Sequence, residues 1–118
     1  MVGKAVYPDG TEGRPRNWFV LVMLLSLRRR GNSYGYELIK WAAAFGFQTM
    51  NPGSMYRILR QMENEGLCKS EWETSEGGPA RRMYSITGSG DSYLAAWAQA
   101  CKLYQAVMDC FYQAYTSR

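Results

Sequence analysis

Four arginines in two short stretches have the chemistry and spacing suited to binding anions. Arg81 and Arg82 follow a Gly-Gly-Pro turn within EWETSEGGPARRMYSITGSG, residues 71–90. Arg57 and Arg60 stand three residues apart in NPGSMYRILRQMENEG. A guanidinium group donates paired hydrogen bonds to a phosphate or to the O6 and N7 atoms of guanine. Both stretches are therefore candidates for contact with a polyanion.

The composition is that of one globular domain with a basic middle segment. The 118 residues are 47% apolar and 20% charged, which is ordinary for a chain with one modest core. The net charge of +4 is carried by residues 16–90, because the segments on either side are neutral. A polyanionic partner explains this distribution, and so does a plain solvated surface.

Several classes of chemistry find no support in the sequence. Histidine is missing, and the cysteines Cys68, Cys101 and Cys110 lack the CxxC spacing of a zinc site. We expect no metal, no cofactor and no enzymatic activity, since no phosphate loop or suitable carboxylate pair occurs. The cysteines are expected to be free thiols that serve as small buried hydrophobes. The longest apolar run, WFVLVMLL, is too short to span a bilayer, so we expect a soluble, cytoplasmic protein.

Three helices are predicted in the first half of the chain. Residues 1–15 lack apolar periodicity and are expected to form a disordered tail. The first helix runs from an Asn17 cap to Gly31 and is apolar almost all round, which predicts a central core helix or a subunit-contact helix. The second runs from a Ser33 cap to Gly46. Its expected inward face consists of Leu38, Ile39, Ala42 and Phe45.

The third helix has the clearest boundaries. Asn51 is a good N-cap, Pro52 suits the first helical position, and Gly66 is a good stop. Its apolar stripe is predicted to be Met55, Ile58, Leu59 and Met62. Its solvent side is then formed by Ser54, Tyr56, Arg57, Arg60 and Gln61.

The remaining chain predicts a β-hairpin and one long helix. Two strand-like runs, residues 67–74 and 80–86, flank the glycine-rich turn. Thr87 then caps a helix that reaches about Tyr115. Its apolar residues recur at alternating spacings of four and three: Tyr93, Trp97, Ala100, Tyr104, Val107, Phe111 and Ala114. Such a helix, roughly 40 Å long at about 1.5 Å per residue, needs a partner helix, and an identical subunit is the simplest source.

The order of three helices followed by a hairpin is that of a winged helix-turn-helix. The fold class is therefore mainly α with a small β-hairpin, plus a long C-terminal dimerisation helix. We divide the chain into the tail 1–15, a DNA-binding domain 16–87 and the dimerisation helix 88–118. In this architecture the third helix enters the major groove of DNA and the hairpin, or wing, reaches along its backbone. Arg81 and Arg82 on a solvated strand edge, and Arg57 paired within its own helix, are the plainer alternatives.

The chain resembles the PadR-like family of bacterial transcriptional regulators. The resemblance rests on YGYEL (34–38), NPGSMYRILRQMENEGL (51–67) and GGPARRMYSITGSG (77–90). It implies a homodimer that binds two-fold promoter DNA and usually represses transcription. The positions that it implicates in DNA contact are Tyr34, Ser54, Tyr56, Arg57, Arg60, Gly78, Arg81 and Arg82. Gln61, on the solvent side of the third helix, is a ninth candidate for DNA contact. Ser54 and Met55 depart from the Thr and Leu expected there, without consequence for the fold.

Within that family, AFGFQTMNPGSMYRILRQME (44–63) taken together with EWETSEGGPARRMYSITG (71–88) resembles the repressors that respond to polyhydroxybutyrate. This likeness implies a small-molecule or polyhydroxybutyrate effector, which the residue chemistry itself does not specify. Some relatives hold flat or apolar ligands between subunits, and Trp18, Tyr93 and Trp97 are the candidate lining here. The alternative is a filled dimer seam in which Trp97, Ala100, Tyr104, Val107 and Phe111 pack together.

A second class of function remains open on the sequence alone. A winged-helix protein can act as a protein–protein adaptor or as a granule-associated protein without specific DNA binding. An acidic or apolar third helix would be typical of such a protein. The exposed Arg57 and Arg60 favour DNA binding instead.

Overall fold

The computed structural model describes residues 18–45, 51–74 and 78–117. The elements, in chain order, are α1 (Trp18–Arg30), β1 (Ser33–Tyr34), α2 (Gly35–Ala43), α3 (Pro52–Asn64), β2 (Cys68–Glu73), β3 (Arg81–Ile86) and α4 (Gly88–Thr116). The described residues divide into two compact units, 18–94 and 95–117, and α4 continues from one into the other. The expected tail 1–15 and the predicted cap Asn17 lie outside the described residues. No described helix is long and apolar enough to cross a membrane.

The core of the first unit forms around α1. Met23, Leu24 and Leu27 are buried on this helix, which contacts α2, α3 and β3. The helix ends as predicted, because Gly31 adopts a φ of +83° and donates its N–H to the Leu27 carbonyl at 3.0 Å. The burial confirms the central core helix that the apolar sequence predicts.

The second helix starts and ends differently from its prediction. Ser33 is not its cap: Ser33 lies in β1 and pairs with Tyr84 of β3. The helix begins at Gly35, where the Glu37 carboxylate accepts the Tyr34 N–H at 2.8 Å. Phe45 was expected on the inward face but is 52% exposed. Phe45 lies beyond the end of α2 at Ala43, so the helical periodicity that would place it on the inward face does not apply to it. The predicted stop Gly46 lies outside the described residues.

The third helix matches its prediction closely. The Asn51 side chain accepts the Gly53 N–H at 2.7 Å, and Pro52 occupies the first turn. Met55, Leu59 and Met62 are buried, while Ile58 is half-buried. Gly66 follows the helix with a φ of +79°, the left-handed conformation that glycine adopts without strain.

The predicted hairpin is part of a larger sheet. Its strands β2 and β3 are antiparallel, and β1 joins the other side of β3 to give the order β1-β3-β2. The two residues of β1 pair only with Met83 and Tyr84. Arg81 and Arg82 therefore lie just beyond the end of β1, on the central strand.

The start of α4 is anchored to the segment before β2. The Thr87 hydroxyl accepts the Gly90 N–H at 3.0 Å and donates to the Gly66 carbonyl at 2.6 Å, so Thr87 is the predicted cap. A Cβ at Gly90 would lie 1.9 Å from the Leu67 carbonyl oxygen, which leaves room only for glycine. The helix then continues for 29 residues.

Candidate nucleic-acid interface

The exposed side of α3 presents the residues that the sequence predicts. Tyr56, Arg57, Arg60 and Gln61 are exposed, and Ser54 is half-buried. Gln61 donates to Glu65 at 3.2 Å. Within the described part of the chain, Arg57 and Arg60 have no hydrogen bond or ion pair with another side chain. The alternative in which Arg57 is held by its own helix is therefore not what the structure has, and both guanidinium groups are available to a partner.

The register of β2 and β3 sets the surroundings of the wing arginines. Arg82 lies directly opposite Trp72, and Arg81 lies opposite Glu73. The guanidinium carbon of Arg82 stands 4.9 Å from the Trp72 ring centroid, within the range of a cation–π interaction. Gly78 is exposed between the strands, whereas residues 75–77 of the turn lie outside the described residues.

A cleft of about 600 Å³ lies between α3, the wing and the start of α2. Its aromatic lining consists of Tyr34, Tyr36, Tyr56, Trp72 and Tyr84. Arg60 from α3 and Arg81 and Arg82 from β3 add positive charge, and Gly35 adds backbone. The cleft thus combines flat apolar surfaces with three guanidinium groups.

Two of the aromatic rings are arranged around Arg81. Tyr34 and Tyr36 are nearly parallel, at an interplanar angle of 8° and a centroid separation of 5.8 Å. The Arg81 guanidinium carbon lies 5.6 Å from the Tyr34 centroid and 5.9 Å from the Tyr36 centroid. This arrangement links β1 and the first turn of α2 to the wing and orients Arg81 at the cleft.

Two carboxylates hold other members of the site. The Tyr34 hydroxyl donates to Glu73, and this hydrogen bond is the main reason why the pKa of Tyr34 is raised above its ordinary 10.0. Glu63 accepts the Ser70 hydroxyl at 2.8 Å and lies 3.6 Å from Arg82. The Tyr34–Glu73 contact is exposed and the two Glu63 contacts are at most partly buried, so we treat all three as restraints on side-chain direction rather than large sources of stability.

Gly35 allows the rings of the cleft to approach the backbone. A Cβ on Gly35 would lie 2.8 Å from Cε1 of Tyr56 and 3.6 Å from Cε2 of Tyr84. Any side chain at this position would push Tyr56 outward. The second residue of YGYEL is therefore a packing requirement of the cleft.

The structure brings together five of the nine predicted DNA-contact residues. Tyr34, Tyr56, Arg60, Arg81 and Arg82 all line the cleft. The others, Ser54, Arg57, Gln61 and Gly78, lie outside its lining. Sequence reasoning did not assign Gly35, Tyr36, Trp72, Tyr84 or the carboxylates Glu63 and Glu73 to the site. Tyr36 had a signal in its position within YGYEL, whereas Trp72 and Glu73 depend on a strand register that the sequence does not specify.

The predicted subunit-contact residues of α4 differ in exposure. Trp97 is 2% exposed and Ala100 is buried within the single chain, Tyr104 and Val107 are half-buried, and Phe111 is 71% exposed. Exposed apolar side chains continue to Tyr115 at 78%. Of the candidate effector residues, Trp18 is exposed and Tyr93 is half-buried, and neither they nor Trp97 are part of the cleft lining.

The three cysteines occupy three different environments. Cys68 is buried, and burial raises its pKa to about 12. Cys101 is half-buried, and the same effect raises its pKa above the ordinary value. Cys110 is exposed on α4. The expectation of buried thiols is wrong for Cys110, because the C-terminal part of α4 has no covering element among the described residues.

Comparison with known proteins assigns the chain to a family. The model of the "Transcriptional regulator PadR-like family" matches residues 23–96. A curated relative in Mycobacterium tuberculosis, whose name describes a transcriptional regulator, is 35% identical over 77 residues. The match covers 64% of this chain, and the chain spans only 40% of that relative's length.

Solved structures share the fold. A PadR-like transcriptional regulator from Bacillus cereus is 26% identical, with a TM-score of 0.67 over 82% of this chain and 92% of that one. A PadR family regulator from Clostridium difficile is 28% identical, with a TM-score of 0.67 over 79% and 97%. Bacillus subtilis PadR, solved in complex with operator DNA, is 22% identical, with a TM-score of 0.62 over 71% and 48%. That last likeness shows the fold alone.

Proposed function

The chain belongs to the PadR-like family of transcriptional regulators, and we propose that it acts by binding double-stranded promoter DNA as a homodimer. The family consists of regulators rather than enzymes. The observation that carries the proposal is the convergence of Arg60 from α3 with Arg81 and Arg82 from the wing at one cleft. These are the two elements that a winged helix-turn-helix presents to DNA. A protein of the same fold, Bacillus subtilis PadR, is known in complex with operator DNA.

The two sets of arginines have different roles in this proposal. Arg57 and Arg60 are exposed on α3, so they can reach base edges in the major groove, where arginine reads guanine. Arg81 and Arg82 on the wing contact phosphates and fix the register of the protein on the duplex. Tyr34, Ser54, Tyr56, Gln61 and Gly78 supply further polar contacts around these charges.

The dimer is proposed from the apolar surface of α4. Phe111 and Tyr115 are highly exposed in a single chain, and Phe111 belongs to the heptad pattern of this 29-residue helix. Pairing with α4 of a second subunit would cover them and would place two wings and two α3 helices on successive half-sites. We assign DNA binding to residues 16–87 and subunit contact to residues 88–118.

Repression released by an effector is the regulatory part of the proposal. The family resemblance supports a repressor in the cytoplasm, and the subgroup resemblance supports a small or apolar effector, polyhydroxybutyrate included. Trp18, Tyr93 and Trp97 are the candidate effector contacts. The burial of Trp97 in the single chain favours a structural role for that residue, so we place the effector closer to Trp18 and Tyr93.

Fluorescence anisotropy with labelled duplexes tests the proposal. The duplexes are the region upstream of the protein's own gene and a random sequence of equal length, each titrated at several salt concentrations. Specific binding that weakens steeply with salt supports DNA recognition through phosphate contacts. Arg60→Ala should reduce the preference for the upstream duplex, whereas Arg81→Ala should weaken binding to both duplexes similarly.

Two results of these titrations would contradict the proposal. If neither duplex binds at low salt, the winged-helix fold serves as a protein–protein adaptor or a granule-associated protein. If Arg60→Ala lowers affinity for the two duplexes by the same factor, the division of roles between α3 and the wing is wrong.

A further inference from the structure

We propose that the cleft between α3 and the wing is a binding site for a single unstacked nucleotide. In this proposal the base packs against Trp72 and Tyr36, and Arg60 holds the phosphate. Because Arg60, Arg81 and Arg82 also belong to the proposed DNA interface, a bound nucleotide competes with duplex DNA. The competition rests on the proposed function, whereas nucleotide binding itself does not.

The size and lining of the cleft suit a nucleotide. Its volume of about 600 Å³ is within the roughly 300–1,000 Å³ typical of small-molecule sites. Trp72 is 62% exposed and Tyr36 is 46% exposed, so both rings offer apolar surface at the cleft. The Arg82 guanidinium already lies over Trp72, and Tyr34 is parallel to Tyr36. In an intact duplex the faces of the bases are stacked on each other, so the remaining exposed area of the Trp72 and Tyr36 rings has no flat partner. An unstacked base supplies that partner.

The charges of the cleft select for a phosphate. Glu63 lies 3.6 Å from Arg82, and Glu73 accepts the hydrogen bond of Tyr34, so part of the positive charge is balanced within the protein. Arg60 has no acidic partner among the described residues, and it lines the same cleft. Arginine binds phosphate through two parallel hydrogen bonds. We therefore assign the phosphate to Arg60 and the base to the side of the cleft that Trp72 and Tyr36 form.

Two sources can supply the same chemistry. One is a free nucleotide, which would act as a soluble competitor of promoter DNA. The other is a nucleotide within single-stranded DNA. Both present a base, a sugar and a phosphate, so the lining of the cleft does not distinguish them. The experiment therefore includes one probe for each source.

Isothermal titration calorimetry of the full chain tests the site. The probes are dGMP, deoxyguanosine, inorganic phosphate and a single-stranded tetranucleotide. We expect dGMP to bind at least about tenfold more tightly than deoxyguanosine or phosphate, because base stacking and phosphate contact both contribute. Absence of dGMP binding, or equal affinity for phosphate and dGMP, overturns the proposal. If dGMP binds more tightly than the tetranucleotide, the site is supported and the source is a free nucleotide. If the tetranucleotide binds more tightly than dGMP, the site is supported and the source is single-stranded DNA.

Matched variants locate the binding. Trp72→Ala and Arg60→Gln should each weaken dGMP binding by about tenfold. The controls are Phe45→Ala, another exposed aromatic residue, and Arg29→Gln, another exposed arginine, and neither lines the cleft. Thermal melting checks that all four variants fold. Equal weakening by the controls places the nucleotide elsewhere and overturns the assignment.

The same samples separate this inference from the proposed function. Addition of dGMP should release labelled upstream duplex, and Trp72→Ala should reduce that release. Duplex binding without dGMP binding overturns the nucleotide site and leaves the proposed function intact. Conversely, dGMP binding without duplex binding supports the site and contradicts the proposed function. Simultaneous binding of both ligands overturns the competition.

Discussion

The Tyr34 hydroxyl donates a hydrogen bond to the Glu73 carboxylate, which joins the residue before α2 to the last residue of β2. Tyr34 is one of the proposed DNA contacts, and Glu73 lies opposite Arg81 in the sheet. A carboxylate at this position orients the wing but also repels phosphate. Glu73 is therefore expected to oppose the affinity for DNA that Arg81 and Arg82 are proposed to supply.

Replacement of Glu73 by glutamine should tighten DNA binding. An exposed charge of this kind is worth about 0.2–1 kcal/mol, so affinity should rise roughly 1.4- to fivefold. The increase should be similar for upstream and random duplexes, because phosphates are common to both. Fluorescence anisotropy measures the change. Glu71→Gln on the same strand is the matched control, and an equal increase there would show that net charge, not the position of Glu73, is responsible.

The same substitution should change the titration of Tyr34. The hydrogen bond to Glu73 is the largest cause of its raised pKa, so Glu73→Gln should lower the pKa toward 10.0. In the wild-type protein, tyrosinate should then appear at Tyr34 only at a higher pH than in the variant. An NMR titration of the Tyr34 ring carbon measures both values. An unchanged pKa would show that the carboxylate does not hold the hydroxyl in solution.

The boundaries of most elements could be predicted because their causes are local. Asn51 starts α3 by accepting a hydrogen bond from a residue two positions away, and Pro52 supports the start through its fixed φ. Gly31 ends α1 through its own φ angle. The start of α2 could not be predicted from Ser33. Its preference for a helix cap is overridden when the sheet pairs it with Tyr84, which lies far along the chain.

The cleft was predictable in its charged part and in two of its aromatic residues, Tyr34 and Tyr56. Arg60, Arg81 and Arg82 were recognisable from their place on α3 and the wing. Trp72 joins them because residue 72 pairs with residue 82, and a shift of one residue would turn its side chain to the other face of the sheet. The sequence contains no signal for that register, so the contribution of Trp72 to the site emerges only from the folded chain.

Gly90→Ala should destabilise the protein strongly, whereas Gly88→Ala should not. A Cβ at Gly90 would lie 1.9 Å from the Leu67 carbonyl oxygen, while a Cβ at Gly88 meets nothing within 4 Å. Overpacking against backbone should cost about 1–3 kcal/mol or more. Urea unfolding followed by circular dichroism measures both variants. Equal stabilities would mean that the α4 start can shift away from Leu67.

The cysteines should react in the order of their exposure. Cys110 is exposed and should react first with a thiol reagent at pH 8. Cys68 should remain unmodified until the protein unfolds, because it is buried and its pKa is about 12. Mass spectrometry of timed samples follows each site. Early modification of Cys68 would show that β2 opens readily.

Stability should also fall at alkaline pH. The Cys68 thiol has a pKa of about 12 in the folded chain and an ordinary value of 9.0. Its contribution to the free energy of unfolding is therefore complete below about pH 9 and is lost as pH rises toward 12. Urea unfolding of Cys68→Ala against the wild type, at pH 8 and at pH 10, isolates the effect. A difference in stability that does not shrink with pH would contradict the assignment.

Phe111→Ser should separate the proposed dimer into monomers. Phe111 is 71% exposed in a single chain and belongs to the heptad pattern of α4. The substitution removes two phenylalanine side chains from the proposed dimer interface, one from each subunit. Because burial of each phenylalanine contributes about 1.5–3 kcal/mol, the dissociation constant should rise at least about 100-fold. Sedimentation equilibrium measures it. Gln105→Ser, an exposed polar change on the same helix, is the control and should leave the dimer intact. A wild-type chain that sediments as a monomer at micromolar concentration would remove the dimer from the proposed function.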